Sequence, residues 1–179
     1  VLINYPYSTR LEWAYSIRKA FNAVNIRDEN DLVGDVNLDF KIDEDDVTAL
    51  RDYLDPDKTF QFTQPVQEHY CDLTSDGEIT SEDLTFLEKK VAHRITITNQ
   101  PKDVTKERDW SVNLSVEAQV NDGSDPNTLQ YQWYIKEANS KKFVPALFGD
   151  SSAYTFNAFI STDGRQMYCE ITDEYFNRV

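Results

Sequence analysis

Two stretches of the chain place oxygen-bearing side chains at the same intervals. The first runs from Asp35 to Asp46 and the second from Asp72 to Asp83, and each leads into an amphipathic segment. Both 12-residue windows carry such side chains at positions 1, 3, 5, 9 and 12, with isoleucine at position 8. Calcium, a hard cation, takes six to eight oxygens, and a loop turning tightly around it offers alternate side chains and the position-7 carbonyl. The spacing therefore predicts two calcium loops.

The predicted ligands are oxygen donors, with position 7 contributing its backbone carbonyl: Asp35, Asn37, Asp39, Lys41, Asp43, Asp46, Asp72, Thr74, Asp76, Glu78, Thr80 and Asp83. The alternative, a pair of solvated acidic loops, is weakened because the whole pattern occurs twice. The first loop has more carboxylates, but Phe40 occupies position 6, where glycine normally makes the sharp turn, so we expect backbone strain there. The second loop keeps Gly77 and has fewer carboxylates. Magnesium suits such flexible loops less, because it demands a smaller octahedral cage.

Charge and composition exclude several classes of function. The chain has 179 residues and a net charge of −14, which opposes binding to a phosphate backbone, so we expect no nucleic-acid partner. No apolar run is long enough for a membrane span. Two cysteines and two histidines are too few for a thiolate zinc site or a histidine-based catalytic centre, and we expect both histidines to be half-exposed. No nucleophile or phosphate-binding motif is present, so we expect no enzyme activity.

The pattern of apolar residues divides the chain into three parts. Residues 1–30 predict a helix, because Thr9 and Glu12 have the spacing of a capping box and apolar residues recur every three or four positions. Residues 31–94 combine acidic loops with short amphipathic helices. From residue 95 to 179 the period changes to two, which predicts a β-sandwich. Val179 lies about where a final strand would begin, so we expect the last strand of the sandwich to be missing, to come from another chain, or to lie beyond the residues of this sequence.

Residues 33–91 resemble the type I dockerin modules of cellulosome-type systems. The likeness lies in Gly-Asp-Val-Asn at 34–37, in the duplicated loop-helix units and in aspartate at position 12 of both loops. The resemblance implies a small all-α module, folded by two Ca²⁺ ions, that docks onto a cohesin domain of a scaffold protein. It also assigns partner contacts to loop positions 10 and 11 and to basic residues further along each helix: Glu44, Asp45, Arg51, Ser81, Glu82 and Lys89.

Residues 95–179 resemble a bacterial immunoglobulin-like domain. The entry Ile-Thr-Ile-Thr-Asn-Gln-Pro at 95–101, the strand around Trp133 and the segment from Asp163 to Cys169 carry the likeness. The resemblance implies an all-β sandwich with Trp133 in its core. The usual disulfide is absent, because Val116 stands where the partner of Cys169 belongs. The fold class predicted for the whole chain is α+β in two domains.

Three functions remain open at this stage. The first is a noncatalytic docking module that binds a cohesin, with an immunoglobulin-like spacer, in a secreted or cell-surface bacterial protein of polysaccharide degradation. The second is a structural stalk that calcium stiffens and that has no cohesin partner. The third is glycan contact by the β-domain, for which the platform candidates are Trp110, Tyr134 and Phe143.

Overall fold

The computed structural model describes residues 32–179, which form a helical region followed by a region of small β-sheets. The predicted α+β class is confirmed. The described residues divide into two compact units, 32–91 and 92–179. The helix predicted over residues 1–30 lies outside the described residues. Within residues 32–179, no helix is both long and apolar enough to cross a bilayer.

Three helices, α1 (Glu44–Leu54), α2 (Val66–Cys71) and α3 (Ser81–Ala92), are described in the first part of the chain. The first loop ends where a capping box starts α1. At α1 the side chain of Asp43 accepts a hydrogen bond from the amide of Asp45, and the side chain of Asp46 accepts one from the amide of Asp43. The acidic first turn and the basic last turn of α1 and α3 also match the helix dipole.

Equivalent apolar residues of the two loop-helix units share one core. The fully or almost fully buried members are Val36, Val47, Leu50, Cys71, Leu73, Leu87 and Val91. Ile42 and Ile79, the position-8 residues, pack against this cluster. Gln67 attaches the segment between the two loop-helix units to the first loop. Its buried side-chain amide donates a hydrogen bond to the Val36 carbonyl at 2.6 Å. The oxygen of the same side chain accepts hydrogen bonds from the backbone amides of Thr63 and Gln64. Both loop-helix units therefore contribute residues to a single core.

The β-region contains seven strands among the described residues: β1 (Ile95–Asn99), β2 (Ser111–Ser115), β3 (Glu117–Val120), β4 (Gln130–Lys136), β5 (Val144–Pro145), β6 (Ala153–Asn157) and β7 (Gln166–Thr172). All pairings are antiparallel, in the orders β1-β3, β2-β6 and β5-β4-β7. Only Val116 separates β2 from β3, so one irregular strand pairs with β6 along its first half and with β1 along its second half.

Trp133 is the centre of the β-region. Its side chain is fully buried, and its indole Nε1 donates to the Ser151 carbonyl at 2.8 Å. Ile95, Val116, Val120, Leu129, Ala146 and Ile171 complete the buried cluster. Cys169 lies opposite Trp133 on β7 and is a free thiol, as the absence of a paired cysteine predicts.

The segment after β7 turns back onto that strand. Val179 and Ile171 exchange two backbone hydrogen bonds of 3.0 Å, and Thr172 bridges to Arg178. His93 lies beneath this turn and is only 3% exposed, so the expectation of a half-exposed side chain is wrong for His93. Its Nδ1 lies 2.9 Å from Asp173 Oδ2, and Asn177 Nδ2 donates to both Asp173 and the His93 carbonyl. Period-two reasoning cannot find such a contact, because its partners are 80 residues apart.

Replacing Trp133 with alanine should unfold the β-region and leave the helical unit, residues 32–91, folded. Removing a fully buried aromatic side chain costs about 3–5 kcal/mol. The matched control is Trp110→Ala, because the Trp110 side chain is 60% exposed and should cost far less. Urea unfolding followed by circular dichroism gives both free energies. Equal losses for the two variants would contradict the assignment of Trp133 to the core.

Candidate calcium-binding site

The position-12 carboxylate closes each loop in the same way. In the first loop, Asp46 Oδ1 accepts from the amide of Asn37 at 3.0 Å and Oδ2 accepts from the amide of Asp43 at 2.9 Å. In the second loop, Asp83 accepts from the amides of Thr74 and Thr80 at 2.9 and 2.8 Å. Positions 3, 9 and 12 are therefore connected identically in both loops.

The other ligand positions repeat as well. The position-1 carboxylates accept from the position-6 amides: Phe40 donates to Asp35 at 2.9 Å, and Gly77 donates to Asp72 at 3.0 Å. The position-5 carboxylates of Asp39 and Asp76 accept from the position-7 amides at 2.8 and 2.9 Å. The position-9 side chains of Asp43 and Thr80 accept from the position-11 amides. The loops are thus two copies of one hydrogen-bonded turn.

Positive φ angles recur at positions 4 and 6. Leu38 and Ser75 occupy position 4 with φ of 61° and 59°, and Phe40 and Gly77 occupy position 6 with φ of 71° and 89°. Left-handed backbone costs an L-residue other than glycine roughly 1–2 kcal/mol. The strain expected at Phe40 is therefore present, and Gly77 avoids it in the second loop.

The side chain of Asp35 indicates that the first loop fits a cation. Its Oδ1 is a buried oxygen without a hydrogen-bond partner within residues 32–179, and the residue is only 1% exposed. Burial, together with the charge of Asp46, raises the pKa of the Asp35 carboxyl to about 7. A buried, unpartnered carboxylate oxygen is costly unless a positive charge faces it. A calcium ion would supply that charge.

The two position-12 groups differ in their electrostatics. Burial raises the pKa of Asp46, and the hydrogen bonds that it accepts only partly oppose this effect. Burial also acts on Asp83, but hydrogen bonds from Thr80 and Thr74 outweigh it, and the pKa of Asp83 is lowered. Without metal, the first loop therefore holds its negative charge less favourably than the second.

Carboxylates alone do not complete either ligand set. In the described part of the chain, no group of three or more His, Cys, Asp or Glu side chains could hold a metal ion. A calcium site in either loop would therefore need additional oxygens, for which the sequence predicts the Asn37 amide, the threonine hydroxyls and the position-7 carbonyls. Calcium accepts this mixture, because it binds carbonyl and amide oxygens as well as carboxylates. In this arrangement the cation would have a structural role.

The six residues assigned to partner contact are all exposed: Glu44, Asp45, Arg51, Ser81, Glu82 and Lys89. They lie on α1 and α3, four in the first turns and two further along. Sequence reasoning missed one contact among them, since Arg51 Nη2 donates to Glu88 Oε1 at 2.8 Å. Arg51 therefore already has an anionic partner on the neighbouring helix.

The three candidates for a glycan platform do not form one surface. Tyr134 stacks on Tyr168 with ring centroids 4.8 Å apart, and Phe143 meets Tyr168 edge-on at 4.9 Å. Trp110 immediately precedes β2, in a different sheet, and is 60% exposed. Because Tyr134 and Tyr168 stack, one face of each ring is covered by the other and only the opposite face could contact a sugar ring.

The comparisons with known proteins agree with the geometry of the helical part. Residues 33–92 match the family described as the dockerin type I domain. Neither the curated proteins nor the solved structures gave a significant match to the chain. The chain thus contains a type I dockerin domain, and a β-rich region follows it. Type I dockerins bind calcium, and proteins that contain them are typically extracellular components of cellulosomes.

Replacing Gly77 with alanine should weaken calcium binding. A Cβ at Gly77 would meet no atom within 4 Å, so the loss, roughly 1–2 kcal/mol, comes from the positive φ alone. Gly123→Ala is the matched control, because its φ is 80° and its Cβ also meets open space, but it lies in the β-region. Calcium titration by calorimetry measures the difference. An affinity unchanged by the Gly77 variant would contradict the loop assignment.

The two cysteines should report separately on what calcium stabilises. Burial raises the pKa of the Cys71 thiol to about 12 and that of Cys169 to about 11, so thiolate is scarce at pH 8 and both should react slowly. Chelation should release Cys71 from the helical core and raise its labelling rate by roughly tenfold or more, because metal binding energy is also folding energy. Cys169 should stay slow.

The variant Cys169→Ser keeps only Cys71 in the helical region, and Cys71→Ser keeps only Cys169 in the β-region. One thiol reagent therefore measures the accessibility of each region separately. Labelling rates measured with calcium and with chelator give the comparison. If chelator leaves the Cys71 rate unchanged, calcium does not hold the helical unit together. If both rates rise together, the β-region depends on the metal as well.

Proposed function

We propose that the dockerin type I domain of this chain is a noncatalytic docking module that binds a cohesin domain once each of its two loops holds a calcium ion. The module comprises residues 31–94, and the twelve loop positions named above are its ligands. The protein that contains it is secreted or attached to the cell surface and belongs to a system of polysaccharide degradation. This location agrees with the millimolar extracellular calcium that suits loops of this kind.

The duplicated hydrogen-bond network carries this proposal. It keeps the first turns of α1 and α3 in the same relation to their loops, so each calcium loop positions one exposed helix start. Since the core is shared, ordering the loops also orders both helices. The metal thus supports the surface that a partner would meet, without contributing to any reaction.

We also propose that residues 95–179 form an immunoglobulin-like spacer. Two features support this assignment. The irregular strand formed by β2 and β3 pairs with both β1 and β6, while β5, β4 and β7 form a separate sheet. The buried Trp133 belongs to that second sheet, and Val116, on the irregular strand, belongs to the same core.

A structural stalk without a cohesin partner is the competing function. It requires the same calcium loops but makes no use of the exposed helix starts. Glycan contact by the β-region stays a prediction from the sequence, because the stacked tyrosines do not favour it. A glycan array tests that prediction directly.

Binding to purified cohesin domains should require calcium and the exposed residues of α1 and α3. Opposite-charge substitutions at Glu44, Asp45, Arg51, Glu82 and Lys89, and Ser81→Lys, should weaken affinity by about tenfold where the residue faces the partner. Stability should change little, because exposed charges contribute little to it. Surface plasmon resonance with calcium and with chelator gives the affinities.

Glu117→Lys and Asp150→Lys are suitable controls, since both residues are exposed and lie in the β-region. They should leave cohesin affinity unchanged. If no cohesin binds the unmodified chain in calcium, or if all six substitutions have no effect, the stalk becomes the better explanation.

A further inference from the structure

One strand of the β-region, β6, has an open edge. It pairs with β2 alone, in a sheet of two strands. The amide of Val116 donates to the carbonyl of Ser152, which lies directly opposite it in this register. Hydrogen-bonded pairs alternate along antiparallel strands. The backbone groups of Ala153, Thr155 and Asn157 therefore point away from β2, and within residues 32–179 no backbone group bonds to them there.

The sequence leaves this edge without the features that normally prevent pairing. Exposed edge strands commonly carry lysine, proline or a bulge, or are very short. The twelve residues from Ser151 to Thr162, which include β6, are the longest stretch of the chain without a charged residue or proline. By contrast, β5 has two residues and ends in Pro145, and the register of β1 shifts between Ile97 and Asn99. The edge of β6 is therefore open to another strand.

The solvent-facing side of this sheet is also uncharged. It consists of short side chains of β2 and β6: Ser111, Asn113, Ser115, Ala153, Thr155 and Asn157. The chain as a whole has a net charge of −14. Two copies of it repel each other wherever acidic surfaces meet, so they approach at the lowest cost where neither copy presents a carboxylate. The edge of β6 offers such a place.

Side chains on the inner side of the sheet keep β6 extended. Tyr154 stacks on the buried Trp133 with ring centroids 6.3 Å apart. The Arg165 guanidinium lies 4.9 Å from the centre of the Phe156 ring, and its Nε donates to Glu137 at 3.1 Å. A strand that is already ordered loses little conformational entropy when a second strand pairs with it.

We propose that two copies of this chain associate through β6, in antiparallel orientation about a two-fold axis at Thr155. Thr155 then lies opposite Thr155 of the second copy, and Ala153 lies opposite Asn157. Because these residues direct their backbone groups outward, the pairing makes about six hydrogen bonds. It joins β2 and β6 of both copies into one sheet of four strands. The inference goes beyond the proposed function, since no cohesin takes part in this association.

The association should be weak and should depend on salt. Five residues in each strand extend about 17 Å. An interface of that length belongs to the class below about 1,200 Å², which is typical of transient complexes. Sedimentation of the full chain in calcium, at about 10 μM to 1 mM, should therefore show a monomer and a dimer in equilibrium. Raising the salt from about 0.02 to 0.5 M should favour the dimer, because it screens the repulsion between two acidic copies.

Charges at position 155 test the register. Thr155→Lys and Thr155→Asp each place like charges across the two-fold axis, where the Cβ atoms are about 5 Å apart. Each variant alone should dimerise about tenfold more weakly or worse. An equimolar mixture of the two should regain the dimer, because opposite charges then face each other. Only an antiparallel pairing centred on this residue brings the two side chains together.

Ser115→Lys and Ser115→Asp are the matched controls, because Ser115 is exposed on the same face but lies on β2, one strand from the edge. Both should dimerise like the unmodified chain. The hydroxyl of Thr155 donates to Asn113 Oδ1 at 2.9 Å, and both substitutions at Thr155 remove this bond, so its loss cannot explain recovery in the mixture. Thermal unfolding in calcium should show that every variant stays folded.

Three results would overturn the proposal. A chain that stays monomeric at every concentration and salt would leave the edge of β6 to an extended segment of another protein. Dimers that tolerate both substitutions at Thr155 would place the interface elsewhere on the chain. A mixture that stays as monomeric as its components would exclude a two-fold axis at this residue.

Discussion

The carboxylates of Asp46 and Asp83 join each loop to the helix that follows it. Each accepts an amide from loop position 3 and an amide from position 9, and the position-9 residue is also the residue before the helix. One side chain therefore closes the loop and caps the helix at once. Because these carboxylates are buried, their hydrogen bonds cannot be replaced by water without exposing the core. The arrangement of the whole helical unit depends on them.

Negative charge gathered inside a small module is destabilising, and the first loop shows where this effect concentrates. Asp35 is buried beside Asp46, and one of its oxygens has no partner in the described structure. A bound cation would offset that cost. Because the site does not exist in the unfolded chain, the free energy of metal binding would also stabilise the folded state. The strained backbone at Phe40 adds to the cost of the first loop, whereas Gly77 relieves it in the second. The two loop-helix units thus share one hydrogen-bond pattern but differ in the free-energy cost of backbone strain and of buried negative charge.

The β-region is organised on a different principle. Its core is an apolar cluster that surrounds Trp133. The acidic groups that are buried there, such as Asp173, satisfy their oxygens with the side chain of His93 and with local amides. No unpartnered buried side-chain atom of this region was found among the described residues. Among the described residues, the only buried side-chain oxygen or nitrogen without a hydrogen-bond partner is therefore Asp35 Oδ1 of the helical region, where a cation would offset its cost.

Much of this arrangement is determined by the sequence alone. Ligand spacing depends on local turn geometry, so the loops at Asp35 and Asp72, the helices that follow them and the period-two strands could all be predicted from neighbouring residues. The likeness of residues 33–91 to a dockerin also came from such local motifs, and the family match extends over nearly the same range. The tertiary structure decided what depends on residues far apart in the chain. It paired Arg51 with Glu88, buried His93 against Asp173, and stacked Tyr134 on Tyr168. Contacts of this kind leave no periodic signal in the sequence, because they follow from how elements pack and from which buried groups still need a partner.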